Sequence, residues 1–191
     1  MVGTSKDSLW NVAKETFKIQ QIREEWEWLI DKVIPQDLTP RGLDILEIGC
    51  YDGGSSYYLN QFARNMITID NNNPCRFEKY LPKFRSNYRY VAGDSHHPDQ
   101  TRLFGEYEWD FAFIDGDHSY EGVKADFYNL LPYLKKGTPV AFHDIAISDF
   151  HHQHGCYVGE FWEELKREYK ATKFEEFSTN SEWAGIGICW V

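Results

Sequence analysis

The apolar positions of the chain switch between two periods. From Trp10 to Val33 the residues Trp10, Ala13, Phe17, Ile22, Trp26, Leu29, Ile30 and Val33 fall at helical spacing, which predicts one or two amphipathic helices. Pro35 and Pro40 flank the short connector Gln36 to Thr39 that ends them. Beyond it, apolar runs of strand length alternate with helical patterns. Asp44 to Gly49 reads as a first strand, followed by the turn residues Asp52-Gly53-Gly54-Ser55-Ser56 and a helix over Tyr57 to Ala63. Asn65 to Asp70 is a second strand, a weaker helix is expected near Arg76 to Leu81, and Tyr88 to Gly93 is a third strand. Trp109 to Asp115 is the fourth. Tyr120, Val123, Phe127, Leu130, Leu131 and Leu134 then mark one face of a long helix, closed by Lys135-Lys136-Gly137. Thr138 to His143 is a fifth strand, and Val158, Phe161, Trp162, Leu165 and Tyr169 mark another helix. Thr172 to Phe177 and Gly185 to Val191 are the last two strand candidates.

Strands that alternate with helices build βαβ units. The expected class is therefore α/β: a Rossmann-like doubly wound sheet of about seven strands, mostly parallel, with N-terminal helices. The 191 residues suit one hydrophobic core. Residues 1–191 are expected to form a single domain, with 1–40 its N-terminal helical segment and 41–191 its core. In such sheets ligands bind beyond the carboxyl ends of the strands, where the strand order reverses. The polar residues that end strands are thus the ones to read for chemistry.

Composition narrows the partners. Thirty acidic against twenty basic side chains leave a formal net charge of -10, which repels phosphate backbones and anionic lipid, so neither nucleic acid nor membrane is expected. The four cysteines are far apart and include no C-x-x-C pair, which fits a reducing compartment. There is no apolar stretch of signal-peptide or membrane-spanning length, so the default is a cytoplasmic protein.

The run from Glu47 through Gly49, Tyr51 and Gly53 to Ser55 joins a strand to a helix, where glycines let a ligand approach backbone N–H groups. A dinucleotide fingerprint would need glycine at Tyr51, so the loop favours a cofactor without a pyrophosphate and disfavours nicotinamide-dependent oxidoreduction. Asp70 ends the next strand about 20 residues on, where a carboxylate can accept bonds from ribose hydroxyls. Asp94 and Ser95 follow the third strand and either meet an adenine amine or cap a turn.

LEIGCYDGGSS, the strand ending in Asp70, the GDS of Gly93 to Ser95 and FIDGDHSYEGVKAD resemble, in that order, the motifs of class I S-adenosylmethionine-dependent methyltransferases. The Asp115-to-Gly122 stretch with His143-Asp144 is similar to the cephalosporin hydroxylase-like and macrocin-type small-molecule O-methyltransferases. The resemblance covers Asp44 to Asp144 well and the flanks weakly. It implies S-adenosylmethionine as cofactor, with Glu47 and Gly49 at its methionine end, Asp70 at the ribose, and Asp94 with Ser95 at the adenine; Tyr51, Gly53 and Asp115 complete the expected cofactor contacts.

Asp115 ends the fourth strand and Asp144 follows the fifth, so their carboxylates should face one another across the crevice. Oxygen ligands so placed suit Mg²⁺. Relatives resemble this with acidic groups after both strands, whereas the fifth strand here ends His143-Asp144, making Asp115, His143 and Asp144 the candidate metal set. The alternative is that the two carboxylates bond loop backbone and substrate without metal. His118, three residues past Asp115, is the candidate general base at a position where some relatives carry lysine. Its other reading is a helix cap, and His143 is a competing base. His151, His152, His154 and Cys156 lack the paired spacing of a zinc site and read as a polar lid or substrate wall. The expected activity is methyl transfer to the hydroxyl of a small acceptor, the alternative a non-catalytic cofactor-binding protein. The N-terminal helices either cover the acceptor pocket or make a homodimer contact.

Overall fold

The computed structural model describes residues 5–35, 42–71 and 83–191. Helices α1 (Lys6–Phe17) and α2 (Arg23–Val33) come first, joined by an irregular connector. Ser5 caps α1 by accepting from Ser8 N–H at 3.2 Å, and Lys18 ends it in the left-handed conformation. Then follow β1 (Leu43–Ile48), α3 (Gly54–Asn60), β2 (Ala63–Asp70), β3 (Tyr88–Ala92), the short α4 (Pro98–Thr101), β4 (Phe111–Ile114) and α5 (Tyr120–Leu130). The chain closes with β5 (Pro139–His143), the short α6 (Asp149–Gln153), α7 (Val158–Glu168), β6 (Lys173–Phe177) and β7 (Ile186–Trp190).

The strands form one sheet in the order β3-β2-β1-β4-β5-β7-β6. All neighbours from β3 to β5 are parallel, and β7 runs antiparallel to both β5 and β6. The order reverses between β1 and β4. Strand alternation assigns each side chain to a layer. Leu46, Ile48, Ala112, Ile114, Val140 and Phe142 pack with Val123 and Phe127 of α5 and Phe161 and Trp162 of α7. Ile45, Phe111, Phe113, Ala141, Ile186 and Ile188 pack with Trp10 of α1, Trp26 and Leu29 of α2 and Tyr58 of α3. The N-terminal helices therefore share the core of the sheet. Trp26 meets Tyr58 and Phe113 edge to face, with ring centroids 5.9 and 5.3 Å apart.

Several boundaries differ from the spacing-based expectation. Helix α3 starts at Gly54 and ends at Asn60, because Gly53 turns the chain with φ 87° and Gly54 lies against the connector. A Cβ at Gly54 would sit 2.4 Å from Ile19 Cα. Helix α5 stops at Leu130 and passes into a 3₁₀ turn over Leu131–Tyr133, where Pro132 has no N–H to continue the α ladder. The segment after β5, read from the sequence as a polar lid or substrate wall, contains α6, capped by Ser148 Oγ accepting from His151 N–H at 3.1 Å. The helix expected near Arg76 to Leu81 and the connector Gln36 to Thr39 lie outside the described residues. Among the described residues no helix is long and apolar enough to cross a membrane.

Glu25 on α2 is completely buried. One carboxylate oxygen accepts from Thr179 N–H at 2.7 Å and Thr179 Oγ at 2.9 Å, and the other from Gly185 N–H at 2.9 Å. This fixes the β6–β7 loop, which carries Trp183, against the N-terminal helices. Replacing Glu25 by Ala strands two backbone donors and is expected to cost about 3 kcal/mol in urea unfolding. A loss under about 0.5 kcal/mol would mean the loop is held by other contacts.

Candidate active site

At the reversal between β1 and β4, a cavity of about 680 Å³ opens beyond the carboxyl ends of the parallel strands. That lies within the range of small-molecule sites. Its walls are the α1–α2 connector, the loop after β1, the ends of β2 to β5, helix α6 and Trp183. Gly49 makes the narrow floor: with φ 82°, it lies so close to β4 that a Cβ would be 2.0 Å from the Asp115 carbonyl oxygen. The non-glycine residues with left-handed φ among the described residues are Lys18, Tyr51, Asp144 and Ala184. The first three line the cavity, and Ala184 N–H bonds His151, which also lines it. Backbone strain is thus concentrated at this site.

On one side stands the loop after β1. Asp70, at the end of β2, accepts from Cys50 N–H at 2.6 Å and Tyr51 N–H at 2.9 Å through one carboxylate oxygen. These bonds hold Tyr51 in its glycine-like conformation, φ 50°. Gly49, Tyr51, Asp70, Asp94, Ser95 and Asp115 all reach the cavity. Glu47 and Gly53 do not line it. Glu47 points to the face away from Leu46 and Ile48, fully buried, where one oxygen accepts from Ser56 Oγ and from Thr68 Oγ at 2.7 Å. Burial pushes its carboxyl up to about 7. Gly53 serves as the residue preceding α3.

The other side is a cluster of two carboxylates and two imidazoles. His143 Nδ1 lies 3.2 Å from Asp115 Oδ1 and 3.3 Å from Asp144 Oδ1. His118 Nε2 is 3.2 Å from Asp115 Oδ1, and its Nδ1 is 3.5 Å from Asp144 Oδ2. Asp144 reaches back into the cluster because its own φ is 63°. His143 is buried, with its Nε2 unpartnered, whereas the His118 side chain is 38% exposed and faces the cavity. Helix α5 is capped by Ser119, which accepts from Gly122 N–H at 3.1 Å, so capping is not the task of His118. Burial alone would lower the pKa of His143, but the charges of Asp115 and Asp144 outweigh it and raise the value well above normal. His118 is raised in the same way, against burial, by Asp115 and then Asp144. Burial would raise both carboxyls, yet His143 above all holds them low. Asp115, His143 and Asp144 each offer a ligand atom within 4.8 Å of the others.

Sequence spacing gave no sign of Gln21, whose Nε2 donates to Asp115 Oδ2 at 2.7 Å from the α1–α2 connector. It also missed Asp126 of α5, completely buried, which accepts from Ser95 Oγ at 2.6 Å. The histidines after β5 do not converge on one another. His151 bonds the Ala146 carbonyl through Nδ1, and its Nε2 lies 3.2 Å from Ala184 N and 3.6 Å from Asp144 Oδ1, so it borders the cluster and Asp144 raises its pKa. His152 pairs with Glu160, and His154 bonds the Phe150 carbonyl at 2.7 Å.

Removing the buried cation tests the cluster. His143→Phe leaves Asp115 and Asp144 facing each other and is expected to lose about 3–5 kcal/mol at pH 6. A raised histidine pKa contributes fully below about 6.5 and is lost as pH rises through the folded value; depressed carboxyls contribute above about 4 and lose this as pH falls through theirs. The gap between wild type and variant should therefore be widest between about pH 4 and 6.5. A gap that does not change with pH, measured by urea unfolding, would contradict an ionic cluster.

A family model described as a methyltransferase domain matches residues 46–145. The uncharacterized protein y4gI of Sinorhizobium fredii is 41% identical over 56 residues, which are 29% of this chain and 6% of that relative's length. The fold is shared with an O-methyltransferase from Bacillus cereus in complex with SAH, at TM-score 0.65 and 16% identity, covering 100% of this chain and 93% of that one. It is shared likewise with the O-methyltransferase TomG of Streptomyces achromogenes in complex with SAM, at TM-score 0.68 and 16% identity, covering 100% and 92%. The MycE methyltransferase of the mycinamycin biosynthetic pathway, in complex with Mg and SAH, aligns at TM-score 0.68 and 17% identity over 98% of this chain and 55% of that one. The match over residues 46–145 spans more than half of the sequence and contains β1, the glycine loop, β4 and β5, and the chain belongs to the methyltransferase domain family.

Proposed function

We propose that this chain is an S-adenosylmethionine-dependent methyltransferase that methylates a hydroxyl of a small acceptor. The observation that carries the reading is the pairing, in one cavity, of a glycine loop tied to Asp70 with the Asp115–His118–His143–Asp144 cluster. The cavity fits the cofactor. Asp70 and Asp94 line its β1-loop side and offer carboxylate oxygens to ribose hydroxyls and an exocyclic amine, the donors that an S-adenosyl group presents. Gly49, Tyr51 and Asp115 are assigned to the methionine end, Asp70 to the ribose, and Asp94 with Ser95 to the adenine. Glu47 and Gly53 act beneath the loop, by shaping its passage into α3.

S-adenosylmethionine, when bound, supplies a methyl group on a sulfonium whose leaving group is a neutral thioether. The protein's part is to hold the acceptor oxygen in line and take its proton, and orientation of this kind can lower a barrier by roughly 7–11 kcal/mol. His118 is the general base. Asp115 accepts the Nε2–H bond and fixes the tautomer, leaving Nδ1, with its longer 3.5 Å contact to Asp144, to receive the acceptor's proton. His143 is too enclosed to meet the acceptor and serves as the fixed cation that keeps both carboxylates ionised.

The set Asp115, His143 and Asp144 also fits a divalent cation by donor type and spacing, and these residues would hold it. It would supply charge stabilisation for the acceptor oxygen. Such a cation would take the place of the His143 Nδ1 proton, between Asp115 and Asp144. The α1–α2 connector lines the cavity, which supports the reading that the N-terminal helices cover the acceptor pocket. Cys50, Cys156 and Cys189 are buried free thiols, in keeping with a cytoplasmic enzyme. Residues 1–191 act as one unit in this reading.

The test is transfer of labelled methyl from S-adenosylmethionine to a panel of small phenols and sugar hydroxyls. His118→Ala should lower kcat at least about 100-fold and leave the dissociation constant for S-adenosylhomocysteine within about threefold. Because a base works unprotonated and His118 is raised, wild-type kcat should climb with pH through an apparent pKa above about 6.5. Unchanged turnover in the variant, or a rate that falls over that range, would remove His118 as base. A rate that rises with added Mg²⁺ or Mn²⁺ and falls with EDTA would support the cation; indifference to both would leave the cluster to its protons.

A further inference from the structure

The motif FIDGDHSYEGVKAD ends in Asp126, and the chemistry above gives that residue no task. It is a completely buried carboxylate on α5, lying beneath the wall formed by Ser95 and His96. Its Oδ1 accepts the Ser95 hydroxyl proton at 2.6 Å and lies 3.1 Å from His96 Nε2, while Oδ2 has no hydrogen-bond partner. A fully buried carboxyl group with one oxygen unpartnered is costly unless it orders something at the cavity wall.

The consequence follows from proton counting. A serine hydroxyl has one proton, and here it points inward to Asp126, so only oxygen lone pairs remain for the cavity. The hydrogen bond to Asp126 raises His96 to about 9, so its Nε2 proton is present and directed to Asp126 and the Gly122 carbonyl, 3.1 Å away. His96 Nδ1 faces the Asp94 carboxylate at 3.5 Å. Asp94 itself is acceptor only. The side-chain donors of this corner are thus engaged within the protein, and what it presents to a ligand is acceptor character.

Resting on the cofactor reading, we propose that Asp126 sets the polarity of the nucleobase subsite through Ser95, so that it selects a 6-aminopurine and rejects a 6-oxopurine. An exocyclic amine donates to Ser95 Oγ. A 6-oxo group would place a second acceptor against it, with no proton between them. Asp126 is a positioning residue here, since it acts on the ligand through Ser95.

The experiment is calorimetric titration of the full chain with S-adenosylhomocysteine and with its 6-oxo analogue S-inosylhomocysteine, for wild type, Asp126→Ala, Asp126→Asn and Ser95→Ala. Wild type should prefer the amino form by roughly tenfold or more. Ser95→Ala and Asp126→Ala should each narrow the preference at least about threefold, the first by removing the acceptor beside Asp94 and the second by freeing its proton. Asp126→Asn keeps an oxygen for Ser95 and should retain the preference. If Asp126→Ala weakens both ligands equally, or Ser95→Ala keeps the full preference, the proposal is overturned. Should Asp126→Ala fail to fold, Ser95→Ala and Asp126→Asn still decide it. Loss of both ligands by folded wild type would instead strike the cofactor reading beneath it.

Discussion

The site depends on how closely β1 can approach β4. Gly49 N–H donates to Ile69 at 2.8 Å and Asp115 N–H to Ile48 at 2.8 Å, so three strand ends are tied within a few residues. The absence of a side chain at Gly49 lets the backbone of Asp115 lie against it, where a Cβ would come within 2.0 Å of the carbonyl. The β1 loop and the acid–histidine cluster come from opposite sides of this contact. Without it they would border separate clefts, and the crevice where the sheet reverses would hold a ligand but no chemistry beside it.

The two sides handle charge differently. On the β1-loop side, Asp70 accepts from the backbone N–H groups of Cys50 and Tyr51, which fixes the loop. Around Asp115 and Asp144 the partners are imidazoles, which couple the charge of the site to its proton count. The first arrangement suits a ligand that is held, the second one that is deprotonated. Gln21 connects the cluster to the α1–α2 connector, and Glu25 connects the next helix to the loop of Trp183, so the N-terminal wall of the cavity is bonded both to the cluster and to that loop.

Most of the fold was legible because the core is periodic. Leu46 with Ile48, Ala112 with Ile114, and Val140 with Phe142 alternate as strands facing a helical layer must, and the helices between them repeat at three and four residues. Reading the polar strand ends also points to Asp70, Asp115 and Asp144, and spacing from Asp115 adds His118; all four line the cavity. Glu47 went astray although its signal was present: two positions from Ile45 and one from Leu46, it had to point toward the N-terminal helices. Asp126 likewise lies three residues after Val123 and four before Leu130, on the inward face of α5. A lone acid there reads as solvated unless its partner is known, and Ser95 is 31 residues away in sequence. Gln21 and Glu25 find partners 94 and at least 154 residues away, contacts that no local pattern encodes. Helix α6 has five residues and no apolar repeat, so a capping serine was its only mark.

On the function proposed above, this cavity takes the S-adenosyl nucleoside between the β1 loop and the acid–histidine cluster. Calorimetric titration of the purified wild-type chain with S-adenosylhomocysteine, alongside Asp70→Ala, tests it most directly. One site of micromolar or tighter affinity is expected, about 8 kcal/mol of binding free energy or more, weakened at least about tenfold in the variant. A folded wild-type chain that binds no S-adenosylhomocysteine would remove the cofactor from this cavity and leave the glycine loop as a structural turn.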